Sequence, residues 1–300
     1  MKKKTYLFAL MAMALTLGSC SDNENGIGGE TSKYITVSTS IGNMTRVATD
    51  AKGGQTFEEG DEISVYAWTG DATIAPDASE RVVNNAINKL TSSSWVSTPQ
   101  MLWKNNRDKH YFIGVYPTAA ISDLSAGEYT FDANKQTESD LLVAVNPDGL
   151  SYSADAQQTV PLTFTHVMAK LAVNLTYKNQ WGGIPTVEKV VVGNAAKEAT
   201  INYLTKVVTP STTAKEDFSL PEITENTKYV SIIIPQKEVK QLTIVIGGKN
   251  FVYDNGTPFK LESGKITTVN LEVGRNEISL GDVKITDWED GSTFKGEALN

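Results

Sequence analysis

The single cysteine is the residue whose surroundings imply the most definite chemistry. Cys20 follows Leu17, Gly18 and Ser19. Upstream lie lysines at positions 2–4 and an apolar stretch over residues 5–17. That stretch is too short to cross a hydrocarbon core of about 30 Å comfortably as a mature helix. Basic start, apolar stretch and small residues before cysteine together resemble a lipobox. A signal peptidase needs small residues before its cut, and the Cys20 thiol becomes the lipid attachment point. Cleavage before Cys20 removes three lysines and no acid, which takes the formal charge from −8 to −11. Acyl chains anchor by about 0.8 kcal/mol per buried CH₂, and several chains together make the anchoring stable. The other reading is an ordinary export signal with an incidental cysteine.

Arg46 is the second marked residue, one of four arginines in 300 residues. An alternating run, residues 34–41, precedes it, and a polar, glycine-containing stretch follows. It is either a solvated loop cation or a place for the chain to be cut, between Arg46 and Val47. Elsewhere the chemistry is sparse. The two histidines, His110 and His166, lie far apart and read as structural groups. Zinc needs several Cys or His ligands, and the one cysteine is taken by lipid, so no metal site and no Cys–His nucleophile is expected. No G-x-S-x-G elbow, P-loop or G-x-G-x-x-G occurs, and no cofactor is expected.

Carboxylates cluster at Glu58, Glu59, Asp61 and Glu62, and again at Asp287, Glu289 and Asp290. A glycan hydrolase would need two of them facing each other across a cleft; solvated turn residues are the plainer reading. Neither cluster has the spacing of a helix–loop–helix calcium site. Trp68, Trp95, Trp103, Trp181 and Trp288 are scattered and serve either as a glycan-stacking surface or as packing. The net negative charge argues against a nucleic-acid partner, which would need a basic face.

The elements that must position these groups read as β-strands. In residues 34–41 the row Ile35, Val37, Thr39, Ile41 faces one way. In residues 62–68, Ile63, Val65 and Ala67 oppose Tyr66 and Trp68. A dozen further segments of five to nine residues, rich in Val, Ile, Thr and aromatics, run to the C-terminus. Residues 146–149, NPDG, and 254–256, DNG, read as turns, and residues 246–259 read as consecutive hairpins. The best helical spacing is in residues 79–90, where Val82, Val83, Ala86, Ile87 and Leu90 permit one short helix. The fold class is therefore all-β, built of sandwiches. Residues 160–175 hold a parity break. Leu162 and Phe164 are even, whereas Leu171, Val173 and Leu175 are odd, so the chain must bend or change sheet near His166–Met168. The expected organisation is a lipoprotein signal peptide (1–19), a flexible polar tether (20–33), an N-terminal β-sandwich domain (34–165) and a C-terminal one (166–300). Asp22 and Glu24 in the tether loosely resemble the acidic signals that send some lipoproteins to the outer face of the outer membrane.

Taken in order, the lipobox, the strand ending in Thr45–Arg46, FEEGDEISVYAW (57–68), LTFTHVMAKLAVNL (162–175), SIIIPQ (231–236), GKITTVNLEV (264–273) and ITDWEDG (285–291) resemble the fimbrillin family of Bacteroidales, subunits of type V pili. The resemblance runs from the signal peptide almost to the last residue. It implies two transthyretin-like β-sandwich domains in tandem and a structural subunit of a cell-surface fimbrium, with a role in adhesion or biofilm. It implies export as an outer-membrane lipoprotein lipidated (palmitate) at Cys20, and cutting by an arginine-specific protease after Arg46. It also implies loss of the strand carrying Ile35, Val37, Thr39 and Ile41, and filling of that groove by a strand from another fimbrillin subunit. The donor would be a C-terminal segment with Val283 and Ile285 facing in. The tail after Trp288 is short and polar, so no long donor appendage is evident. A monomeric glycan-binding surface lipoprotein is the alternative.

Overall fold

The computed structural model describes residues 33–42, 56–153 and 158–288. Within them the chain is strand after strand, with one 3-10 turn at Asn179–Trp181 and no α-helix. The strands are β1 (Thr36–Ile41), β2 (Glu62–Thr69), β3 (Val83–Thr91), β4 (Ser94–Thr98), β5 (His110–Tyr116), β6 (Gly127–Thr130), β7 (Leu142–Leu150), β8 (Thr159–His166), β9 (Ala169–Tyr177) and β10 (Val187–Ala196). They continue with β11 (Glu198–Asn202), β12 (Val207–Pro210), β13 (Lys215–Ser219), β14 (Glu222–Thr224), β15 (Lys228–Ile233), β16 (Gln241–Ile246), β17 (Lys249–Asp254), β18 (Lys265–Val273) and β19 (Ile278–Asp287).

Four sheets result. A seven-stranded sheet has the order β1-β8-β7-β5-β2-β3-β4. The others are β13-β10-β16-β17, β12-β11-β6 and β14-β15-β9-β18-β19. The parity break marks a change of sheet: β8 ends at His166 in the first sheet, and β9 begins at Ala169 in the last. Val167 and Met168 between them are buried. The division is not clean everywhere, because β6 pairs antiparallel with β11 from the later half. All described residues fall in one compact unit.

The seven-stranded sheet is apolar on both faces, so its central strands carry few exposed positions. The row Ile63, Val65, Ala67 enters a core with Ile35, Val37, Phe112, Leu162 and Phe164. The opposite row, Tyr66 and Trp68, enters a second core that continues into β9, β10, β16 and β18. Tyr66 is wholly buried, so its hydroxyl must find partners. It donates to the Ala119 carbonyl and accepts from the Ile121 N–H at 2.9 Å. Burial raises its pKa. Arg81 holds the same loop, donating to the carbonyls of Ile121 (2.8 Å) and Ser122 (2.6 Å).

Three local expectations need correction. Residues 83–91 are strand β3, not helix. One extra residue in β3 shifts the register against β2 between Val65 and Ala67, and Asn85 takes a left-handed φ of 56°. This bulge turns the period-two spacing of Val83 and the next buried residue, Ala86, into a spacing of three, which imitates a helix. NPDG does not close a hairpin. It lies inside β7 as a bulge, with the pairing to β5 jumping between His110 and Phe112. Gly149 carries a φ of 64°, and a Cβ there would meet the Tyr111 ring at 2.8 Å. Gly247 and Gly248 do close a two-residue hairpin between β16 and β17, but the chain after the DNG turn leaves for another sheet, so the second hairpin is absent.

Candidate assembly site

The strand with the predicted removable row, β1, lies at one end of the seven-stranded order, yet it is no bare edge. It runs parallel to β8, from Thr36 opposite Thr159 to Ile41 opposite Phe164, so its partner is 123 residues away in the chain. A parallel pair cannot be closed by a hairpin. On its other side the Ile35 N–H donates to the Met101 carbonyl at 2.9 Å, and the Trp103 N–H donates to the Lys33 carbonyl at 3.2 Å. Farther along, Trp95 Nε1–H donates to Thr39 Oγ1 at 3.0 Å. The row therefore sinks unevenly. Ile35 and Val37 are 2% and 5% exposed, and Thr39 and Ile41 are half-buried.

Aromatic packing closes the end of this groove. Phe57 meets Trp95, Tyr116 and Phe164 edge-on, at centroid distances of 5.3, 5.4 and 5.1 Å. Beside it a cavity of about 320 Å³ is lined by Ile41, Phe57, Tyr116, Asp140 and Lys170. Burial, and then the Asp61 and Asp140 carboxylates, hold the Tyr116 hydroxyl above its usual pKa. Phe57 stands alone among polar residues in the sequence, and that isolation is the signal that could have marked it as an anchor.

The start of the groove rests on His110. Its Nε2 accepts the Lys104 N–H at 3.0 Å, so its Nδ1 carries the proton and donates to the Asp108 carbonyl at 3.1 Å. Both nitrogens are thus used by the neutral ring. Burial lowers its pKa, the nearby backbone acceptor opposing this more weakly. The ring also packs edge-on against Trp103 at 5.0 Å, beneath the segment that bonds β1.

The candidate donor, β19, differs. It is antiparallel to β18, from Lys265 opposite Asp287 to Val273 opposite Ile278. No strand pairs with its outer edge among the described residues. Val283 and Ile285 are 38% and 40% exposed and enter no core. Trp288, just past the strand, is 3% exposed.

The remaining predicted groups separate. Cys20, Arg46 and Val47 lie outside the described residues, as do Glu289 and Asp290. In the first acidic cluster, Asp61 accepts the Glu58 N–H at 2.7 Å, Glu59 accepts the Ser92 N–H, and Glu62 pairs with Lys89 at 3.0 Å. These carboxylates tie turns and strand ends. His166 pairs with Asp140 at 2.7 Å. Trp68, Trp103 and Trp288 are buried, and Trp95 and Trp181 half-buried. Of the other arginines, Arg81 is buried, whereas Arg107 and Arg275 are exposed in loops.

A family model described as fimbrillin-like matches residues 45–288. The chain belongs to the fimbrillin-like family. A candidate fimbrium subunit of Bacteroides uniformis, Fim1C, is similar at 25% identity over 317 residues, covering 97% of each chain. The solved structure of a candidate cell adhesion protein from Bacteroides uniformis resembles this fold with a TM-score of 0.63 at 20% identity, covering 86% of this chain and 100% of the other. One from Bacteroides ovatus does so with a TM-score of 0.62 at 19% identity, covering 85% and 98%. These structures share the all-β fold of this fimbrillin-like chain.

Proposed function

We propose that this protein is a structural subunit of a cell-surface fimbrium, built as two sandwiches (34–165 and 166–300) and exported as an outer-membrane lipoprotein on Cys20. An arginine-specific protease cuts between Arg46 and Val47. The cut frees the subunit from its lipid and turns β1 into a separate peptide. Loss of β1 uncovers the apolar row's groove and the backbone of β8. An incoming strand from another subunit restores both, its backbone bonds giving affinity and its alternate side chains giving specificity. A head-to-tail contact of this kind joins different surfaces and extends into an open filament.

The observation that carries this reading is the placement of β1. Val37 in the strand and Ile35 just before it are buried core residues, yet the strand's sheet partner is distant in sequence and no hairpin ties it to either neighbour. A cut in the following segment therefore leaves it held by non-covalent contacts alone.

The test uses the purified precursor and an arginine-specific protease. One cut after Arg46, abolished by Arg46→Gln and followed by filaments in electron micrographs, is the expected result. Cuts at Arg107 or Arg275 with Arg46 intact, or cut protein that stays monomeric, would overturn it. Glycan binding by such a monomer would then favour a glycan-binding surface lipoprotein.

A further inference from the structure

From Leu280 to Asp287 every residue of β19 is exposed, and among the described residues the strand is bonded along one edge only. Segments with few buried side chains open more readily than the core they lie on. Trp288 is the exception at its end. The indole stacks on the His166 ring, with centroids 4.0 Å apart and planes 6° from parallel. Lys170 Nζ lies 4.0 Å from the indole centroid, a cation–π distance in a desolvated place. The Trp288 backbone N–H donates to the Gly264 carbonyl at 3.0 Å.

The slot is built from fixed parts. His166 ends β8, Lys170 lies on β9, and Asp140 precedes β7 and holds His166 Nδ1 at 2.7 Å. Both His166 and Lys170 are buried, at 6% and 3% exposure. The Gly264 N–H donates to the Met168 carbonyl at 2.8 Å, and a Cβ on Gly264 would lie 3.1 Å from the His166 carbonyl. The indole therefore docks where the chain changes sheet, beside the backbone of the crossover.

We infer that His166, Lys170 and Asp140 form a binding slot for an aryl side chain, and that Trp288 occupies it as a detachable latch storing β19 on its own subunit. The slot takes a flat, electron-rich ring, because it offers one ring face and one ammonium. With the latch seated, β19 stays on β18. With the latch withdrawn, the strand keeps its edge hydrogen bonds to β18, the Lys265–Asp287 ion pair and the packing of Ile278 at its start, and its C-terminal part becomes available to another subunit. That last consequence rests on β19 being the donor; the latch itself does not.

Amide hydrogen exchange on the full-length protein tests the latch. In Trp288→Ala, amides of residues 282–287 should exchange at least about tenfold faster, with β10 and β16 unchanged. Trp288→Phe should recover most of the protection, and millimolar indole added to Trp288→Ala should restore part of it by refilling the slot. Unchanged exchange in β19 would overturn the latch, as would an equal acceleration in every strand or no response to indole. Filament growth after the Arg46 cut separates the two ideas. If Trp288→Ala loosens β19 and filaments grow faster by a similar factor, both stand. If β19 loosens and growth is unaltered, the latch stands and the donor assignment falls.

Discussion

The first and last strands carry the same kind of pattern and reach opposite states. Ile35 and Val37 at the start of β1, like Val283 and Ile285 in β19, are aliphatic residues two apart with a polar residue between them. The first pair is 2% and 5% exposed; the second is 38% and 40% exposed. The first strand is gripped by β8 on one side and by residues 101–103 on the other. The last has β18 on one side, with Ile278 packed at its start and Trp288 docked just past its end. Alternation states that a strand has two faces, not that either face is covered. A strand gripped on both sides and a strand open along one edge can therefore share one sequence pattern.

The largest effect tests that contrast in stability. Ile35→Ala should lose about 2–5 kcal/mol in urea denaturation, while Ile285→Ala should stay within about ±0.5 kcal/mol. Equal losses would break the comparison. Next comes the floor of the groove. A Cβ on Gly114 would sit 2.6 Å from the Phe164 ring and 3.1 Å from Leu162. Gly114→Ala should therefore cost about 1–3 kcal/mol by overpacking. Its hydrogen-exchange signature should appear in β1 and spare β19; acceleration in both would show that the two strands are not independent. A smaller effect belongs to the Trp95 indole. Trp95→Phe removes its bond to Thr39 and should cost about 0.5–1.5 kcal/mol. A double-mutant cycle with Thr39→Val isolates the coupling, and a coupling of zero would show that the bond does not hold β1.

The finest test is a slope rather than a loss at one pH. The folded-state pKa of His110 lies below its ordinary 6.5. The neutral ring's contribution is then fully present above about pH 6.5 and is lost as pH falls toward the folded-state value. Protonation would set a second donor against the Lys104 N–H, beneath the segment that bonds β1. Exchange at residues 33–35 should therefore rise on acidification, while β19 does not respond. His110→Gln should flatten the dependence; an unaltered slope in that variant would remove His110 as its source.

Much of this architecture was legible from residue types. The opposed rows of β2 fill two different cores as their alternation required, and the parity break at 166–169 is a change of sheet. The misreadings share one cause. In β3 an extra residue at Asn85 reset the period, and in β7 a bulge absorbed what looked like a turn. A bulge is made by the partner strand as much as by its own residues, and β5 and β2 are not local information. The same limit hid Trp288. A large apolar residue between Asp287 and Glu289 hinted at an anchor, but its slot comes from residues 140, 166 and 170.

By itself, the sequence determined that this chain is a series of short amphipathic strands, with one thiol behind an export-like start and one arginine after the first strand. Those features depend on side-chain period and local composition. Only the tertiary structure decided which alternating row is buried, which edge is open, and which tryptophan is clamped. The physical reason is distance along the chain. Burial requires a second surface, and for β1 that surface is β8, 123 residues away.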